Sequence, residues 1–434
     1  MIVTFGFKND PPHSKKSAGI INAFVVLSVV KYARAVEWLS KRPQPKHWRL
    51  ERMQQLVKLA GIDYSRQKFV HVAGSNGKGS TCALIESILR AAGHSIGFYS
   101  SPHLIGYPER IRINGVPISK REFARLVEWV KPFAERTKSS HFEAFTAMAL
   151  KHFSDTGVEF VAWETGLGGR LDATNVVQPI ASVITSVSLE HSEHLGQTVR
   201  AIAGEKAGIV KHGAPVITPC KGIALEAIEH AAKKNKTKVI RVQKPKKIKL
   251  TARGTSFAWR NKSWHTRLLG GFQAINACTA LETARALGVN EAGLRKGLES
   301  VEWPGRMQRL GRFLLDGCHN PESARAFVSA VNNLWPEKPK TLVTGVLADK
   351  NYSLIASEFA CLKGVTEVIA VESPSPRTLS AKSWARVLAS KGIDARAGKG
   401  LKRVLASTKG FTLVCGSLFL VGEALKLFEA KRIP

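Results

Sequence analysis

The chain has 434 residues, enough for roughly two to three domains and a core that needs no disulfide or metal staples. A hydrophobic fraction of 44% and a charged fraction of 23% exclude a disordered, collagen-like or polytopic membrane chain. The charge is unusual: 65 Lys and Arg against 33 Asp and Glu give +32, which favours anionic partners of any kind, from nucleotides to nucleic acid or an acidic membrane. A basic, solvated surface explains that excess more simply than a nucleic-acid site. Cys82, Cys220, Cys278, Cys318, Cys361 and Cys415 are scattered without a CxxC pair, which argues against a zinc site or a disulfide framework and for a reducing compartment.

At the start, Lys15-Lys16 precede an apolar run from Ala18 to Val30, and Ala33-Arg34-Ala35 follows, the pattern of a signal peptide. The residues from Tyr32 onward (YARAVEWLSKR) read instead as an amphipathic helix of the folded domain. We therefore expect residues 1–30 to be a non-cleaved extension or the product of a misplaced start codon, with an organelle transit peptide as the alternative. No other stretch reaches the length of a membrane span.

Beyond Val30, apolar runs alternate with helical periodicity. Strands are predicted at Phe69–Ala73, Ile96–Tyr99, Phe160–Trp163, Ala181–Val187, Pro215–Thr218, Phe313–Leu315, Thr341–Gly345, Glu367–Val371 and Phe411–Cys415. Helices are predicted between most of them, including Ser80–Ala92, Glu143–Phe153 and Pro321–Leu334. The alternation predicts an α/β protein with mostly parallel sheets. The stretch Lys233–Arg267 contains no acid and carries the alternating segments Lys249–Thr251 and Thr255–Trp259, read as a small antiparallel β insertion with a solvated basic face. Trp303-Pro304-Gly305-Arg306 breaks the pattern. The expected organisation is an ATP-binding domain over 31–302, a linker over 303–311 and a Rossmann-like domain over 312–434.

Phe69–Ala73 (FVHVA) runs directly into Gly74-Ser75-Asn76-Gly77-Lys78-Gly79-Ser80-Thr81 and then a helix. In that order, backbone N–H groups and a helix N-terminus can surround phosphate oxygens, the lysine neutralises terminal phosphates, and a hydroxyl can reach Mg²⁺. The strict GxxxxGK[ST] spacing is not met, since position 72 is Val and Gly79 separates Lys78 from Ser80. Glu164 follows the run Phe160–Trp163, and His191 follows the next strand, both at the carboxyl ends where α/β sheets bind ligands. A carboxylate, an imidazole and hydroxyls around a triphosphate suit Mg²⁺.

The compact loop GSNGKGST, preceded by HVA, resembles that of the Mur ligase superfamily, and most of all its folate branch, the dihydrofolate and folylpolyglutamate synthases. The resemblance covers nearly the whole chain after Val30. SSPHL at 100–104 with ERIRING at 109–115, ETGLGGRLDATN at 164–175, Glu190-His191 with Leu195-Gly196, and EKAGI at 205–209 are similar to family segments. So are GFQAINA at 271–277, with Phe272 for the usual His, LDGCHNP at 315–321, with Cys318 for Ala, and GVLADKN at 345–351.

The resemblance implies a two-domain Mur ligase fold and an amide ligase. A dihydropteroate or reduced-folate carboxylate would attack ATP to give an acyl phosphate and ADP, and L-glutamate would then displace phosphate. It implies Gly74, Asn76, Gly77, Lys78, Gly79, Ser80, Thr81, Asn276, Arg306 and Asp316 as ATP contacts. Ser101, Glu164 and His191 would be Mg²⁺ ligands, in a site with two Mg²⁺ ions and a monovalent cation. Lys78, Lys206 and His319 would be catalytic, with Lys206 carbamylated. Arg377 and Ser417 would lie near the incoming glutamate, and His47, Trp48, Arg49, His141, Phe142, Arg170, Leu171 and Asp172 around the pterin. Trp48 and Phe142 can stack on a pterin or belong to the core.

On this reading the protein is a cytoplasmic monomer that acts on small molecules, with no nucleic-acid or membrane partner. Three rivals are weighed against it. A cell-wall Mur ligase needs a further N-terminal domain, and only about 40 residues separate Val30 from the phosphate loop. A related ligase acting on a different carboxylic acid is compatible with Arg49 and Phe272. A nucleic-acid binder would use the net charge alone.

Overall fold

The structure is a computed structural model that describes residues 29–43, 49–431 and 433. Residues 1–28 of the expected extension, together with His47 and Trp48, lie outside the described residues. A helix over residues 29–40 contains most of the amphipathic stretch read from the sequence, ending before Lys41 and Arg42, with Ala35 and Leu39 fully buried.

The first domain is built on β1 (Lys68–Ala73), β2 (Ile96–Tyr99), β3 (Ile111–Ile113), β4 (Val116–Pro117), β5 (Phe160–Glu164), β6 (Pro179–Ile184), β7 (Val216–Thr218) and β8 (Val239–Arg241). They form one sheet in the order β4-β3-β2-β5-β1-β6-β7-β8, parallel from β2 to β8, with the β3–β4 hairpin antiparallel at one edge. β1 and β5 are buried along almost every residue because helices cover both faces, which explains their continuous apolar runs. One face carries the helices Lys78–Ala91, Gly271–Ala286 and Glu291–Ser300; the other carries Leu50–Leu59, Lys120–Arg136 and His141–Thr156. The helix Lys78–Ala91 is buried from Ser80 to Leu89, so it is a central beam rather than a surface helix.

Two sequence expectations need correction. The run Ala181–Val187 is not one strand: β6 ends at Ile184, and Thr185 and Ser186 turn to hydrogen-bond the loop after β1. The polar insertion is a three-stranded antiparallel sheet of β9 (Lys246–Thr251), β10 (Gly254–Trp259) and β11 (Lys262–Thr266). Its third strand, which carries the buried Trp264, was not read from the sequence.

The second domain contains β12 (Gln308–Leu310), β13 (Phe313–Asp316), β14 (Lys340–Thr344), β15 (Val365–Ala370), β16 (Arg396–Ala397) and β17 (Phe411–Cys415), in the order β12-β13-β17-β14-β15-β16. All pairs are parallel except β12–β13. β12 falls inside the stretch read as linker, which shortens the true connection, because Gln308–Leu310 pair with Phe313–Leu315.

Two apolar contacts join the domains. Leu104 and Ile105 from the first domain pack on the second domain's core, where Gly422 approaches so closely that a Cβ there would lie 1.9 Å from the Leu104 carbonyl oxygen. Leu250, Leu269 and Phe272 pack against the other face of the second sheet. The carboxyl ends of β1, β2, β5 and β6 therefore face the second domain across a cleft.

Candidate functional site

The cleft contains a cavity of about 440 Å³ lined by both domains. Its floor is the loop after β1. Gly77 caps the helix Lys78–Ala91 with φ 84°, a left-handed conformation that a side chain would strain, and a Cβ there would lie 2.5 Å from Asn276 Oδ1. The loop is strapped to the segment after β6: Ser75 N donates to Ser186 O at 2.9 Å, Asn76 N to Ser186 Oγ at 2.9 Å, and Thr185 Oγ1 to Asn76 O at 2.7 Å. Lys78 Nζ folds back onto Gly74 O at 2.7 Å. Asn276 bonds Gln273 at 2.9 Å, and Gln273 reaches Ser80 Oγ at 3.4 Å, so the two amides brace the start of the phosphate-loop helix.

Ser101, Glu164, Glu190, His191 and Lys206 line the adjoining wall. Glu164 is 4% exposed and its Oε2 accepts from Ser101 N at 3.4 Å. Burial pushes its carboxyl up to about 7, against the pull of Lys78, so a cation beside it would be strongly favoured. His191 sits at φ 46°, and burial and then Lys350 lower its pKa, which keeps the ring available as a neutral donor of its lone pair. Lys206 is 1% exposed and its Nζ lies 2.9 Å from Glu190 Oε1. Burial, then Lys78, lowers the Lys206 amine to about 8. Burial alone would raise Glu190, but Lys78 and Lys206 outweigh it and hold the carboxyl down to about 2. Among the described residues no three His, Cys, Asp or Glu side chains gather as a metal cluster. The oxygen-rich set of Ser101 and Glu164 with His191 fits an ion such as Mg²⁺, which completes its shell with phosphate and water oxygens.

The second domain supplies Arg306, Asp316, His319, Arg377 and Ser417 to the same cavity. Asp316 Oδ2 accepts from Met307 N and Oδ1 from Cys318 N, both at 2.8 Å, fixing the turn that carries His319. His319 Nδ1 lies 2.9 Å from Gly317 O; that contact requires N–H on Nδ1 and leaves Nε2 as the acceptor. Burial lowers His319 to about 4. Arg377 pairs with Asp349 at 2.9 Å, and Ser417 caps the helix Leu418–Glu429.

The structure thus brings together Asn76, Gly77, Lys78, Gly79, Ser80, Ser101, Glu164, His191, Lys206, Asn276, Arg306, Asp316, His319, Arg377 and Ser417 around one cavity. Other expected residues lie outside its lining. Gly74 packs against Thr185, and Thr81 is fully buried in the helix. Arg49 is exposed at the start of Leu50–Leu59, and Arg170 is exposed and paired with Glu205 at 2.8 Å. Leu171 is half-buried. His141 opens its helix and bonds Leu39 O at 3.0 Å, while Phe142 lies against Gly166, whose added Cβ would be 2.5 Å from the ring. Asp172 is not presented to a ligand: it is buried, and its carboxylate accepts from the N–H groups of Gly166, Leu167 and Thr174 and from the Thr174 hydroxyl. It holds the glycine loop in shape. The partnership of Glu190 with Lys206 and the strap from Thr185 and Ser186 were missed: the first joins a loop and a helix that both follow β6, and the second joins segments more than 100 residues apart that meet through the β1–β6 pairing.

Residues 72–284 match the Mur ligase middle domain, and residues 305–415 match the Mur ligase glutamate ligase domain. The chain is 33% identical to the dihydrofolate synthase/folylpolyglutamate synthase of Bacillus subtilis over 87% of this chain and 94% of that protein. The crystal structure of folylpolyglutamate synthase from Thermotoga maritima superposes with a TM-score of 0.82 at 30% identity, covering 93% of this chain and 98% of that one. Escherichia coli FolC in complex with DHPP and ADP superposes with a TM-score of 0.81 at 28% identity, covering 92% and 98%. The two family matches and the near full-length identity to the B. subtilis protein show that the chain belongs to the Mur ligase family, in its dihydrofolate synthase/folylpolyglutamate synthase branch.

Proposed function

We propose that this chain is an ATP-dependent amide ligase that adds L-glutamate to dihydropteroate and to the glutamate tail of reduced folates through an acyl phosphate, giving ADP and phosphate. One observation carries the reading: a phosphate loop and a buried carboxylate from one domain share a cavity with Arg306 and His319 from the other. The names of the B. subtilis relative and the E. coli complex support the folate substrates.

ATP would lie with its phosphates on the backbone of Asn76–Ser80, where the helix N-terminus and Lys78 offset their charge. Ser101, Glu164 and His191 would hold Mg²⁺, which when bound draws charge from the phosphate oxygens. An oxygen of the substrate carboxylate attacks the γ-phosphorus and ADP departs. The glutamate nitrogen then attacks the acyl carbon, the C–O bond to phosphate breaks, and the amine loses its protons. His319 Nε2, held neutral, would accept one of them. Arg306 would stabilise charge on the transferring group, and the docked second domain would keep water from the acyl phosphate. Arg377 and Ser417 would receive the glutamate. A Lys206 amine brought down to about 8 is neutral in roughly a tenth of molecules near pH 7. That neutral form is the one that adds to CO₂, which supports its carbamylation. ATP as co-substrate, and six cysteines with no disulfide, support a cytoplasmic setting. No helix among the described residues is long and apolar enough to cross a membrane.

The test is ADP release by the purified protein with Mg-ATP and L-glutamate, adding dihydropteroate or tetrahydrofolate separately. Release with both supports the two-substrate ligase, and Lys78→Ala abolishes it. Silence with both, from protein that still binds ATP, would refute the folate assignment in favour of another carboxylic acid.

A further inference from the structure

Asn76 of the phosphate loop is held from both domains. Its backbone is strapped to Ser186 and Thr185 of the first domain. Its side chain reaches across the cleft: Nδ2 donates to Glu322 Oε2 at 2.6 Å, and Oδ1 accepts from Asn320 Nδ2 at 3.0 Å. Among the described residues, the hydrogen bonds that pass between the two domains are these, and both end on Asn76. The polarity of the chain is fixed at one end. Asn320 caps the helix Pro321–Leu334 with its Oδ1, which accepts from Ser323 N at 2.8 Å. Its Nδ2 is left to face Asn76, so Asn76 must turn Oδ1 toward Asn320 and Nδ2 toward the carboxylate of Glu322. Arg325 acts on Glu322 from the next turn of the helix, but its own ion pair is with Glu358 at 2.6 Å.

These bonds join two parts of the reaction site. Asn76 stands two residues before Lys78, and Asn320 directly follows His319. Asn76, Lys78, His319 and Glu322 line one cavity. The two apolar contacts between the domains have no preferred direction and tolerate small slides, whereas a hydrogen bond weakens steeply away from its best angle. A misplacement of about 1 Å between reacting groups can cost on the order of 100-fold in rate. We propose that Asn320 and Glu322 act through Asn76 as a polar relay that sets the His319 turn against the phosphate loop, which makes both of them positioning residues for the transfer steps. The proposal rests on the ligase reading above for what is positioned, and on the hydrogen bonds alone for the relay itself.

The test reverses the polarity of the relay. Asn320→Asp keeps the helix cap, because a carboxylate still accepts from Ser323 N, but it puts an oxygen where Nδ2 stood. Asn76 then faces a carboxylate on each side and can donate to only one. Adding Glu322→Gln supplies a donor on the other side, so the Asn76 amide can turn over and the relay reforms in the opposite sense. Adding Glu322→Ala restores the same net charge without a donor. Two quantities are read: hydrogen exchange over residues 74–79 in the ligand-free protein, and kcat with KM for ATP from ADP release. Asn320→Asp is expected to speed loop exchange about fivefold and to lower kcat at least tenfold, with KM for ATP moving less. The pair with Glu322→Gln is expected to return both to within threefold of the wild type, and the pair with Glu322→Ala to stay at least threefold short of it. Should Asn320→Asp alone fail to fold, the two double variants carry the comparison. Loop exchange or kcat unmoved by Asn320→Asp overturns the proposal, because nothing would then pass from one domain to the other. Equal recovery with Gln and Ala also overturns it, because charge alone would explain the effect. A wild type that releases no ADP refutes the ligase reading, and loop exchange then decides the relay by itself.

Discussion

His71 offers a quantitative test of how the site is held. It lies in β1, three residues before the phosphate-loop segment begins at Gly74, fully buried and paired in register with Trp163 of β5. Its Nε2 is 2.9 Å from Thr174 Oγ1, and Thr174 donates its own proton to Asp172 at 2.5 Å. Thr174 must therefore accept from His71, which puts the proton on Nε2 and leaves Nδ1 without a partner. Burial, then Lys211, lowers the ring from 6.5 to about 3. The sign follows from linkage: below pH 6.5 the unfolded chain binds a proton that the folded chain refuses, so this stability is complete above 6.5 and is lost as pH falls toward 3. At pH 5 the loss from His71 alone is about 2 kcal/mol. Other groups titrate in the same window. His103 and His141 act in the same direction, whereas Glu164, raised to about 7, acts oppositely. Comparison with His71→Leu cancels them. Urea unfolding of the first domain, followed by tryptophan fluorescence at pH 7.5 and 5.0, should show the variant losing about 2 kcal/mol less than the wild type. Equal losses in the two proteins would mean that His71 is not held neutral, and the account of this buried relay would fail.

Gly77→Ala places a side chain at φ 84° and 2.5 Å from Asn276 Oδ1, so KM for ATP should rise at least tenfold with little change in melting temperature; an unchanged KM would refute the tight-loop account. Asp172→Asn replaces an acceptor of four donors with a group that must itself donate, which should cost about 1–3 kcal/mol and lower kcat, read by urea unfolding and ADP release. Gly422→Ala drives a methyl into the Leu104 carbonyl, so the domains should undock: the radius of gyration from solution scattering should grow and turnover fall at least tenfold while ATP still binds.

Periodicity and local chemistry were enough to read much of this protein from its sequence. The parallel α/β class followed from apolar runs alternating with helices, because strands covered on both faces carry continuous apolar stretches. The phosphate loop was legible because Gly77, Lys78 and the flanking strand and helix are contiguous. The motifs carrying Glu164, His191, Arg306 and His319 were legible one at a time, each at the end of its own strand or turn. What tertiary structure alone decided is which groups face which. Asp172 stood in the same motif as Glu164, yet its carboxylate turned inward to hold a loop, because β5 ends there and the unpaired N–H groups of Gly166 and Leu167 needed an acceptor. Thr185 and Ser186 looked like the end of a strand and became the strap of the phosphate loop. Glu190 met Lys206 through a contact between segments that no local pattern relates. Sequence specifies backbone preference residue by residue, whereas burial and charge compensation are properties of the assembled neighbourhood, and it is these that set the pKa values at the site.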